Sequence, residues 1–314
     1  MRAWFLSVRD GKTELELRDI PRPEVKPGQL LVKIQAASLN RGEFIAGHGL
    51  TKAGEPKRAG TDAAGEVVGT GQRIMGRCPG AFAEYALMDE SDAIPVPPNL
   101  SWEEAAATPI TFLVVHDMLL GQGGLKAGEW LLITGVSSGV GVAALQAGKA
   151  LGAKVIGTSG SREKLDRLRE LGLEHGLQTR NADFAKKVME LTDGKGVNLV
   201  VNNVGGSVFA ECIRCMALQG RLATVGYLDG VLKAEMDIEA LHSKRLKLFG
   251  VSNKHRTAAG RAETVRGFTA DLLPHFAAGR IKPMVDQVFS FQDLPKAKAH
   301  MEADRHTGKI VIRL

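Results

Sequence analysis

The sequence predicts an α/β protein in which a doubly wound parallel sheet is inserted into a β-rich domain formed by both ends of the chain. Two observations predict this. Strands and helices alternate from about residue 129 to 252, and the segments on either side are rich in short strands. Alternation is typical of a parallel sheet that helices cover on both faces. We therefore expect two domains. One is formed by 1–106 together with 256–314, and the other is the inserted segment 107–255.

The N-terminal segment has the pattern of short strands joined by turns, which is typical of an irregular barrel or sandwich. The strands are expected at 15–18, 30–36 and 65–69, with a helical turn at 38–43. The proline-rich stretch 93–100 cannot be a central strand and predicts a connector. A helix begins after Ser101, because Glu104 completes a capping box, and a second helical segment follows Pro109.

The alternating region and the tail give a second set of elements. Parallel strands are expected at 131–134, 154–158, 175–178, 197–202, 221–225 and 247–251, with helices between them. The tail is expected to contain a helix that passes through Val265 and Phe276 and ends near Gly279, a strand at 285–289, a helix at 294–301 and a closing strand at 308–314. Because this tail resembles the N-terminal region more than the middle, we expect it to rejoin the first domain.

Composition narrows the class of protein. The net charge is +6, but Lys and Arg alternate with acids, as at 162–167, which indicates a solvated surface rather than nucleic-acid binding. The sequence contains only three cysteines, Cys78, Cys212 and Cys215, which suits a reducing compartment. Cys212 and Cys215 form a C-x-x-C pair, which is expected to pack against other residues rather than bind a metal. No apolar run reaches the ~18 residues of a membrane span. With no secretion signal at the first residues, we expect a cytoplasmic protein.

A turn of small residues between the first two parallel strands is the main functional motif. Gly139 and Gly141 leave backbone N–H groups open to a pyrophosphate, and the helix that starts there offers its positive dipole end. The usual fingerprint has three glycines, but Val136 and Ser138 occupy the aligned positions of the first two. The turn therefore predicts dinucleotide binding, with tight helix–strand packing as the alternative explanation of its glycines.

Several further motifs occur in the same order along the chain as in one known protein family. They are 36–40 with Glu43, 60–69, 80–85, 105–109, the glycine turn and 308–311. Together they resemble the zinc-independent medium-chain dehydrogenases/reductases, in the quinone oxidoreductase subfamily related to zeta-crystallin. The resemblance implies a GroES-like catalytic domain built from both termini and an inserted Rossmann domain, with hydride transfer from a nicotinamide in the cleft. It also implies a homodimer through the edge strand at 246–251.

The residues argue against the zinc branch of this family. Its catalytic metal needs thiolate and imidazole ligands, but Arg41 or Gly42 and Thr61 with Asp62 stand at the corresponding places. The four-cysteine structural lobe is also missing. We therefore expect no metal, and a zinc alcohol dehydrogenase is kept only as a further possibility that bound metal would revive.

Without a Lewis acid, hydrogen bonds and position must activate the acceptor. This suits hydride transfer to a quinone or to the β-carbon of an α,β-unsaturated carbonyl. The resemblance makes Asn40 the candidate donor to the carbonyl oxygen, and the alternative is that its side chain caps the local turn. No proton donor is evident, so solvent is expected to protonate the α-carbon. A different class remains open: a non-catalytic NADPH-binding protein with a structural or RNA-associated role.

The end of the second parallel strand indicates which dinucleotide binds. NAD enzymes place an acid there for the ribose hydroxyls, but residues 157–161 contain none. Ser161 is expected to cap the next helix, so Arg162 and Lys164 lie in its first turn, where cations oppose the dipole unless a 2′-phosphate is present. Lys164 also matches a phosphate-binding lysine of similar quinone reductases. The pattern predicts NADPH. The alternative is that Arg162 and Lys164 are ordinary solvated cations, whose unfavourable interaction with the helix dipole is reduced by Glu163.

Other cofactor contacts follow from the rule that ligands bind beyond the carboxyl ends of parallel strands, and from the resemblance. Val114 replaces a threonine that is usual in the family, so the nicotinamide hydrogen bond is expected to be missing or moved to Thr111. Phe249 and Val251 have core packing as their alternative, and His48 is expected in a substrate-side loop. The full set of expected cofactor contacts is Thr111, Ser138, Gly139, Val140, Ser159, Gly160, Arg162, Lys164, Asn203, Val204, Gly226, Tyr227, Phe249, Val251 and Lys309.

Overall fold

A computed structural model describes residues 1–44, 55–253 and 255–314, so His48 lies outside the described residues. The chain forms two compact units. One contains Met1–Leu113 and Lys254–Leu314, and the other is Val114–Asn253. Within the described ranges, no helix has the length and apolar composition needed to cross a membrane.

The first part of the chain is β-rich, as expected. Its strands are β1 Arg2–Arg9, β2 Lys12–Asp19, β3 Gln29–Ser38, β4 Lys57–Arg58, β5 Asp62–Val67, β6 Arg73–Arg77, β7 Tyr85–Asp89 and β8 Ala93–Pro95. The polar segment after β3 forms a single 3-10 turn, Arg41–Glu43. Two helices follow, α1 Trp102–Ala106 and α2 Pro109–His116. The capping box is present, since Ser101 accepts a hydrogen bond from Glu104 N and Glu104 returns one to Ser101 N.

The middle of the chain alternates strands with helices. The elements are β9 Trp130–Thr134, α3 Gly139–Ala150, β10 Lys154–Ser159, α4 Arg162–Arg169, β11 His175–Gln178, α5 Ala185–Leu191, β12 Val197–Asn202, α6 Phe209–Cys215, β13 Met216–Thr224, α7 Ile238–Ser243 and β14 Lys247–Gly250. The fifth strand was expected from residue 221, but it begins at Met216 because α6 ends at Cys215 and Met216 already pairs with Val197.

All six strands of the middle unit form one parallel sheet in the order β11-β10-β9-β12-β13-β14. The chain runs outward from β9 to β11 and then returns to β12, so the switch point lies between β9 and β12. Residues Leu131, Leu132 and Ile133 of β9 are fully buried, as a central parallel strand requires. The predicted α/β fold class with a doubly wound parallel sheet is confirmed.

The tail supplies α8 Ala258–Asp271, α9 Leu273–Ala277, β15 Val285–Ser290, α10 Leu294–Glu302 and β16 Lys309–Arg313. β16 pairs antiparallel with β3 and parallel with β15, in a sheet of order β15-β16-β3-β5-β6-β8 with β7 paired to β3. The tail therefore completes the sheet that the N-terminal strands begin. The proline-rich stretch forms only the short edge strand β8, which pairs with β6.

Candidate active site

The turn between β9 and α3 has the geometry of an anion-binding helix start. Ser138 is the N-cap of α3 and its Oγ accepts a hydrogen bond from Gly141 N at 3.1 Å. A Cβ on Gly141 would lie 2.5 Å from Gly135 O and 2.7 Å from Val136 O, both backbone atoms. Gly141 is therefore required by the packing of the turn itself, and the packing alternative applies to this glycine.

The missing first glycine of the fingerprint is compensated on the neighbouring strand. Val136 is fully buried, and a Cβ on Gly157 of β10 would lie 2.7–2.9 Å from three atoms of the Val136 side chain. The turn therefore accommodates valine because the strand opposite it has no side chain at that level. The Val136 side chain thus occupies the space that a side chain at position 157 would otherwise fill, and the turn stays compact without the usual glycine.

Polar side chains join β9 and β12 at the switch point. Asn203 Nδ2 donates to Thr134 O at 3.0 Å, and Asn203 N donates to Thr134 Oγ1 at 3.1 Å. Asn202 Oδ1 accepts from Thr134 Oγ1 at 3.0 Å and from Gly205 N at 3.1 Å. Asn203 is 5% exposed and holds the edge of the sheet in place. Its expected contact with the cofactor stays a prediction.

The end of β10 is built from serine hydroxyls rather than an acid. Ser159 Oγ lies 3.1 Å from Ser137 Oγ and accepts from Ser161 N at 3.3 Å. Ser161 caps α4 as expected, since its Oγ accepts from Lys164 N at 3.3 Å. Arg162 instead points along α4, where its Nε lies 3.2 Å from Asp166 Oδ1. That ion pair is exposed and weak, and the expected contacts of Arg162 and Lys164 with a 2′-phosphate stay predictions.

A further cation lies at this strand end and was missed from the sequence. A Cβ on Gly160 would fall 2.4 Å from Nε and 2.6 Å from Cγ of Arg180, so the arginine side chain lies directly against the glycine. Arg180 is exposed and follows β11, the neighbour of β10. The rule about carboxyl ends of strands, applied to β11 as well as to the longer strands, would have found it.

The remaining predicted contacts of this unit follow its strand ends. Val204 is half-buried, Tyr227 is exposed and Phe249 is half-buried. Val251 is buried, and its N–H donates to Thr224 O at 2.9 Å, which extends the pairing of β13 with β14. Because the strands are parallel, these positions and the glycine turn share one edge of the sheet. Their contacts with a cofactor stay predictions.

In the other unit, a buried polar cluster surrounds Asn40. Asn40 Nδ2 donates to Asp62 Oδ2 at 2.9 Å, to Thr61 Oγ1 at 3.1 Å and to Glu43 Oε1 at 3.2 Å. Asn40 Oδ1 accepts from Lys309 Nζ at 2.7 Å. Thr61 Oγ1 also contacts Glu43 Oε1 closely. Their contacts bring together residues of β5, β16, the 3-10 turn and the segment after β3. Asn40, Glu43, Thr61, Asp62 and Lys309 are called the Asn40 cluster below.

The capping alternative for Asn40 is wrong in this geometry. Asn40 is the N-cap residue of the turn Arg41–Glu43, but its side chain makes no capping hydrogen bond to the backbone. Its amide hydrogens go to side chains of the cluster instead. The role of Asn40 as a donor to substrate stays a prediction, and Asp62, Thr61 and Glu43 would compete for the same hydrogens.

Lys309 was expected to contact the cofactor, and its side chain is held by groups of its own unit. Its side chain is 9% exposed, and Nζ donates to Leu39 O at 2.8 Å and to Asn40 Oδ1 while lying 3.6 Å from Asp62 Oδ2. Lys309 Nζ therefore donates two hydrogen bonds and has the Asp62 carboxylate as its counter-charge. Lys309 is a member of the Asn40 cluster, and its expected contact with the adenosine phosphate stays a prediction.

The two carboxyl groups of the cluster differ in their hydrogen-bond donors. Asp62 Oδ1 accepts from Ile110 N at 3.0 Å, and its Oδ2 accepts from Ser38 Oγ at 3.4 Å and from Asn40 while facing Lys309. Burial raises the pKa of Glu43 to about 7, against opposing hydrogen bonds from Thr61 and Asn40. Sequence reasoning missed Thr61 and Asp62 as hydrogen-bond partners of Asn40, although both stand at a zinc-ligand place of the related branch.

Two further expectations concern Thr111 and metal binding. Thr111 is 4% exposed in α2, and its hydrogen bond to a nicotinamide stays a prediction. Within residues 1–44, 55–253 and 255–314, no group of three or more His, Cys, Asp or Glu side chains could hold a metal ion. Cys78, Cys212 and Cys215 are free and buried, which agrees with packing.

Comparisons with known proteins decide the family. Residues 139–265 match the family described as zinc-binding dehydrogenase. A solved NAD-dependent alcohol dehydrogenase is 30% identical, with 100% of both chains covered and a TM-score of 0.83. The chain belongs to the medium-chain dehydrogenase/reductase family. The GroES-like and Rossmann domains expected from the resemblance are thereby confirmed.

This medium-chain dehydrogenase/reductase is also similar to quinone oxidoreductases, which confirms the predicted subfamily resemblance. The quinone oxidoreductase of Thermus thermophilus, solved also with NADPH, is 28% identical, with 100% of both chains covered and a TM-score of 0.85. A mycobacterial protein, Rv1454c, solved with NADPH, is 25% identical over 100% of both chains with a TM-score of 0.88.

The curated relatives of this family member are much longer than the chain. A phenolphthiocerol/phthiocerol polyketide synthase subunit of Mycobacterium tuberculosis is 29% identical over 318 residues, which cover 96% of the chain and 14% of the synthase. The chain thus spans about a seventh of the length of that relative.

Proposed function

We propose that this protein is an NADPH-dependent oxidoreductase that transfers hydride, without zinc, to a quinone or to the β-carbon of an α,β-unsaturated carbonyl. The observation that carries the proposal is the pairing of two features in one chain. One unit has a glycine turn at the switch point of its sheet with cations at the next strand end. The other has a buried hydrogen-bonding cluster at the place where the zinc branch keeps its ligands.

The cofactor assignment has support from residues and from relatives. The end of β10 has no acid for ribose hydroxyls, while Lys164 and Arg180 lie at that end. The Thermus and mycobacterial relatives were solved with NADPH. A bound NADPH would supply the hydride, and the chain's own residues would hold it: the turn N–H groups at the pyrophosphate and the two cations at the 2′-phosphate.

The hydride acceptor is proposed as a chemical class rather than as one compound. The structural relatives include quinone oxidoreductases, and the curated relatives are polyketide synthases. Enoyl thioesters therefore stand beside quinones and enones, because all three accept hydride at a carbon or oxygen conjugated to a carbonyl. Hydrogen bonds from neutral donors suit the charge that develops on that carbonyl oxygen.

The proposal is tested by mixing the purified protein with NADPH and a panel of quinones, enones and enoyl thioesters, and following the loss of NADPH absorbance. Turnover is expected with at least one acceptor class and without added metal. Tight NADPH binding with no oxidation by any acceptor would favour the non-catalytic alternative. Stoichiometric zinc in the active protein would favour an alcohol dehydrogenase instead.

Cofactor choice can be tested by Lys164→Ala and Arg180→Ala. Because each removes a charged hydrogen bond to a 2′-phosphate, we expect NADPH to bind about 10- to 100-fold more weakly in each variant, with little change for NADH. Lys187→Ala is the matched control, since Lys187 is an exposed cation of the same unit that pairs with Glu190. Titration by cofactor fluorescence gives the dissociation constants. Equal losses for NADPH and NADH would contradict the phosphate role.

A homodimer through β14 is part of the proposal. Among the residues that the structure describes, β14 is an edge strand paired only with β13. Apolar Leu248 and Leu218 on these two strands are 39% and 65% exposed. An open apolar edge strand favours pairing with a second copy. Light scattering is expected to give a dimer for the native chain and a monomer for Leu248→Lys. A native monomer would contradict this part of the proposal.

A further inference from the structure

Two segments at the carboxyl edge of the parallel sheet are joined by hydrogen bonds. One is 203–207, which follows β12, and the other is 225–231, which follows β13. Three backbone hydrogen bonds connect the second segment to the first and to the end of β12, from Val225 N to Asn202 O at 3.0 Å, from Asp229 N to Val204 O at 3.0 Å and from Gly206 N to Val231 O at 3.0 Å. These stretches, called the paired segments below, carry four of the predicted cofactor contacts, Asn203, Val204, Gly226 and Tyr227.

The side chain of Asp229 binds both segments at once. Its Oδ1 accepts a hydrogen bond from Val231 N at 2.9 Å, and its Oδ2 accepts one from Ser207 N at 2.8 Å. Burial raises the pKa of Asp229, but hydrogen bonds from Ser207 and from Val231 N outweigh it and hold this pKa below its ordinary value. The ionised carboxylate therefore holds one N–H group of each segment, and hydrogen bonds to an ionised group are stronger than those between neutral groups.

Gly205 allows the first segment to approach this carboxylate. Its backbone angles are φ 128° and ψ −149°, a region that is essentially restricted to glycine. A Cβ on Gly205 would overlap Asp229 Oδ1 and lie 2.8 Å from Asp229 Cγ. Asn202 also holds this glycine, since its Nδ2 donates to Gly205 O at 3.0 Å and its Oδ1 accepts from Gly205 N at 3.1 Å. The turn after β12 is thus fixed by an amide of β12 and by the carboxylate of the second segment.

The paired segments lie on one side of the switch point, and the proposed 2′-phosphate site lies on the other. Lys164 and Arg180 follow β10 and β11, which precede β9 in the strand order, whereas β12 and β13 come after it. A dinucleotide that binds at a switch point extends over both sides of it. With its adenosine half at the end of β10, NADPH would have its nicotinamide half at the paired segments.

We propose that Asp229 is a positioning residue for the nicotinamide half of NADPH. It acts through the backbone, by keeping 203–204 and 226–227 in one arrangement. The proposal rests on the proposed function, since it takes NADPH as the ligand of this sheet edge. Removing the carboxylate releases two N–H groups of the paired segments, whereas Lys164 and Arg180 stand at strand ends on the other side of the switch point.

The test compares the affinities for NADPH and for 2′,5′-ADP, which contains the adenosine and its 2′-phosphate but no nicotinamide. Calorimetric titration of Asp229→Ala is expected to show an NADPH affinity about 10-fold lower than that of the native protein, with the 2′,5′-ADP affinity unchanged. Gly205→Ala reaches the same contact from the other segment, because its Cβ would displace the carboxylate. The same selective loss is therefore expected in this second variant.

Asp237→Ala is the matched control. The Asp237 carboxylate also accepts a hydrogen bond from a backbone N–H group of the same unit, since it caps α7 through Ala240 N at 2.8 Å. Loss of this cap is expected to lower the urea midpoint but to leave the affinities for both ligands unchanged. The ratio of the two affinities thus distinguishes a positioning role from a general loss of stability.

The outcomes separate this proposal from the proposed function. If the native protein binds neither NADPH nor 2′,5′-ADP, the cofactor assignment fails and the positioning role fails with it. If the native protein binds both ligands, but Asp229→Ala keeps the native NADPH affinity or loses equal affinity for both, the positioning role is wrong while the cofactor assignment stands. Turnover with the acceptor panel decides the proposed function independently of either result.

Discussion

Replacing Lys309 with methionine is expected to lower the free energy of unfolding by about 3–5 kcal/mol, because it leaves the buried carboxylate of Asp62 without its cation. Asp62 is fully buried and lies 3.6 Å from Lys309 Nζ. Urea denaturation followed by circular dichroism measures the loss. Lys296→Met is the matched control, since the Lys296 side chain is 76% exposed and its solvated pair with Asp293 is expected to contribute little to stability.

The double variant Lys309→Met with Asp62→Asn separates the electrostatic contribution of the Lys309–Asp62 pair from its packing contribution. Removing both charges is expected to recover roughly 1–3 kcal/mol of the loss, because an amide needs no counter-ion. A double variant as unstable as the sum of the two single variants would show that the pair contributes packing rather than electrostatic stabilisation.

Replacing Gly141 with alanine is expected to weaken NADPH binding about 10²-fold, since its Cβ would lie 2.5–2.7 Å from backbone atoms of Gly135 and Val136. The turn must shift, and each charged hydrogen bond between a turn N–H group and the pyrophosphate is worth roughly 1.5–3 kcal/mol. Calorimetric titration with NADPH gives the affinity directly.

Gly148→Ala provides the control within the same helix. A Cβ on Gly148 would meet only side chains, Leu131 Cδ2 at 2.7 Å and Val155 Cγ2 at 3.6 Å, so the core rather than the turn must adjust. We expect this variant to lose stability but to keep most of its NADPH affinity. Equal NADPH affinity in the Gly141 and Gly148 variants would contradict a role of the turn in holding the pyrophosphate.

Local signals in the sequence predicted local structure well. Ser101 with Glu104 and Ser161 before α4 each specified a helix start through hydrogen bonds within three residues, and both caps are present. Buried runs such as 131–134 specified the central strands, because both faces of a parallel sheet are covered. The start of β13 at Met216 was missed, since α6 leads into this strand with no turn residue to mark it.

The site was predicted less completely because its contacts join distant parts of the chain. Lys309 meets the carbonyl of Leu39 across 270 residues, and no spacing rule in a single sequence reports such a contact. The same holds for Arg180, whose position against Gly160 depends on the pairing of β10 with β11. By contrast, the glycine turn was found because its strand, turn and helix are contiguous.

Val136 and Gly157 have a consequence for how members of this family can vary. The turn and the second strand share one small space, and the side chain that fills it can come from only one of the two positions. A larger residue at 157 would require a smaller one at 136, so these positions are expected to mutate as a pair. A search for the three-glycine fingerprint alone would overlook chains of this kind, whereas a search that accepts a glycine in the second strand would include them.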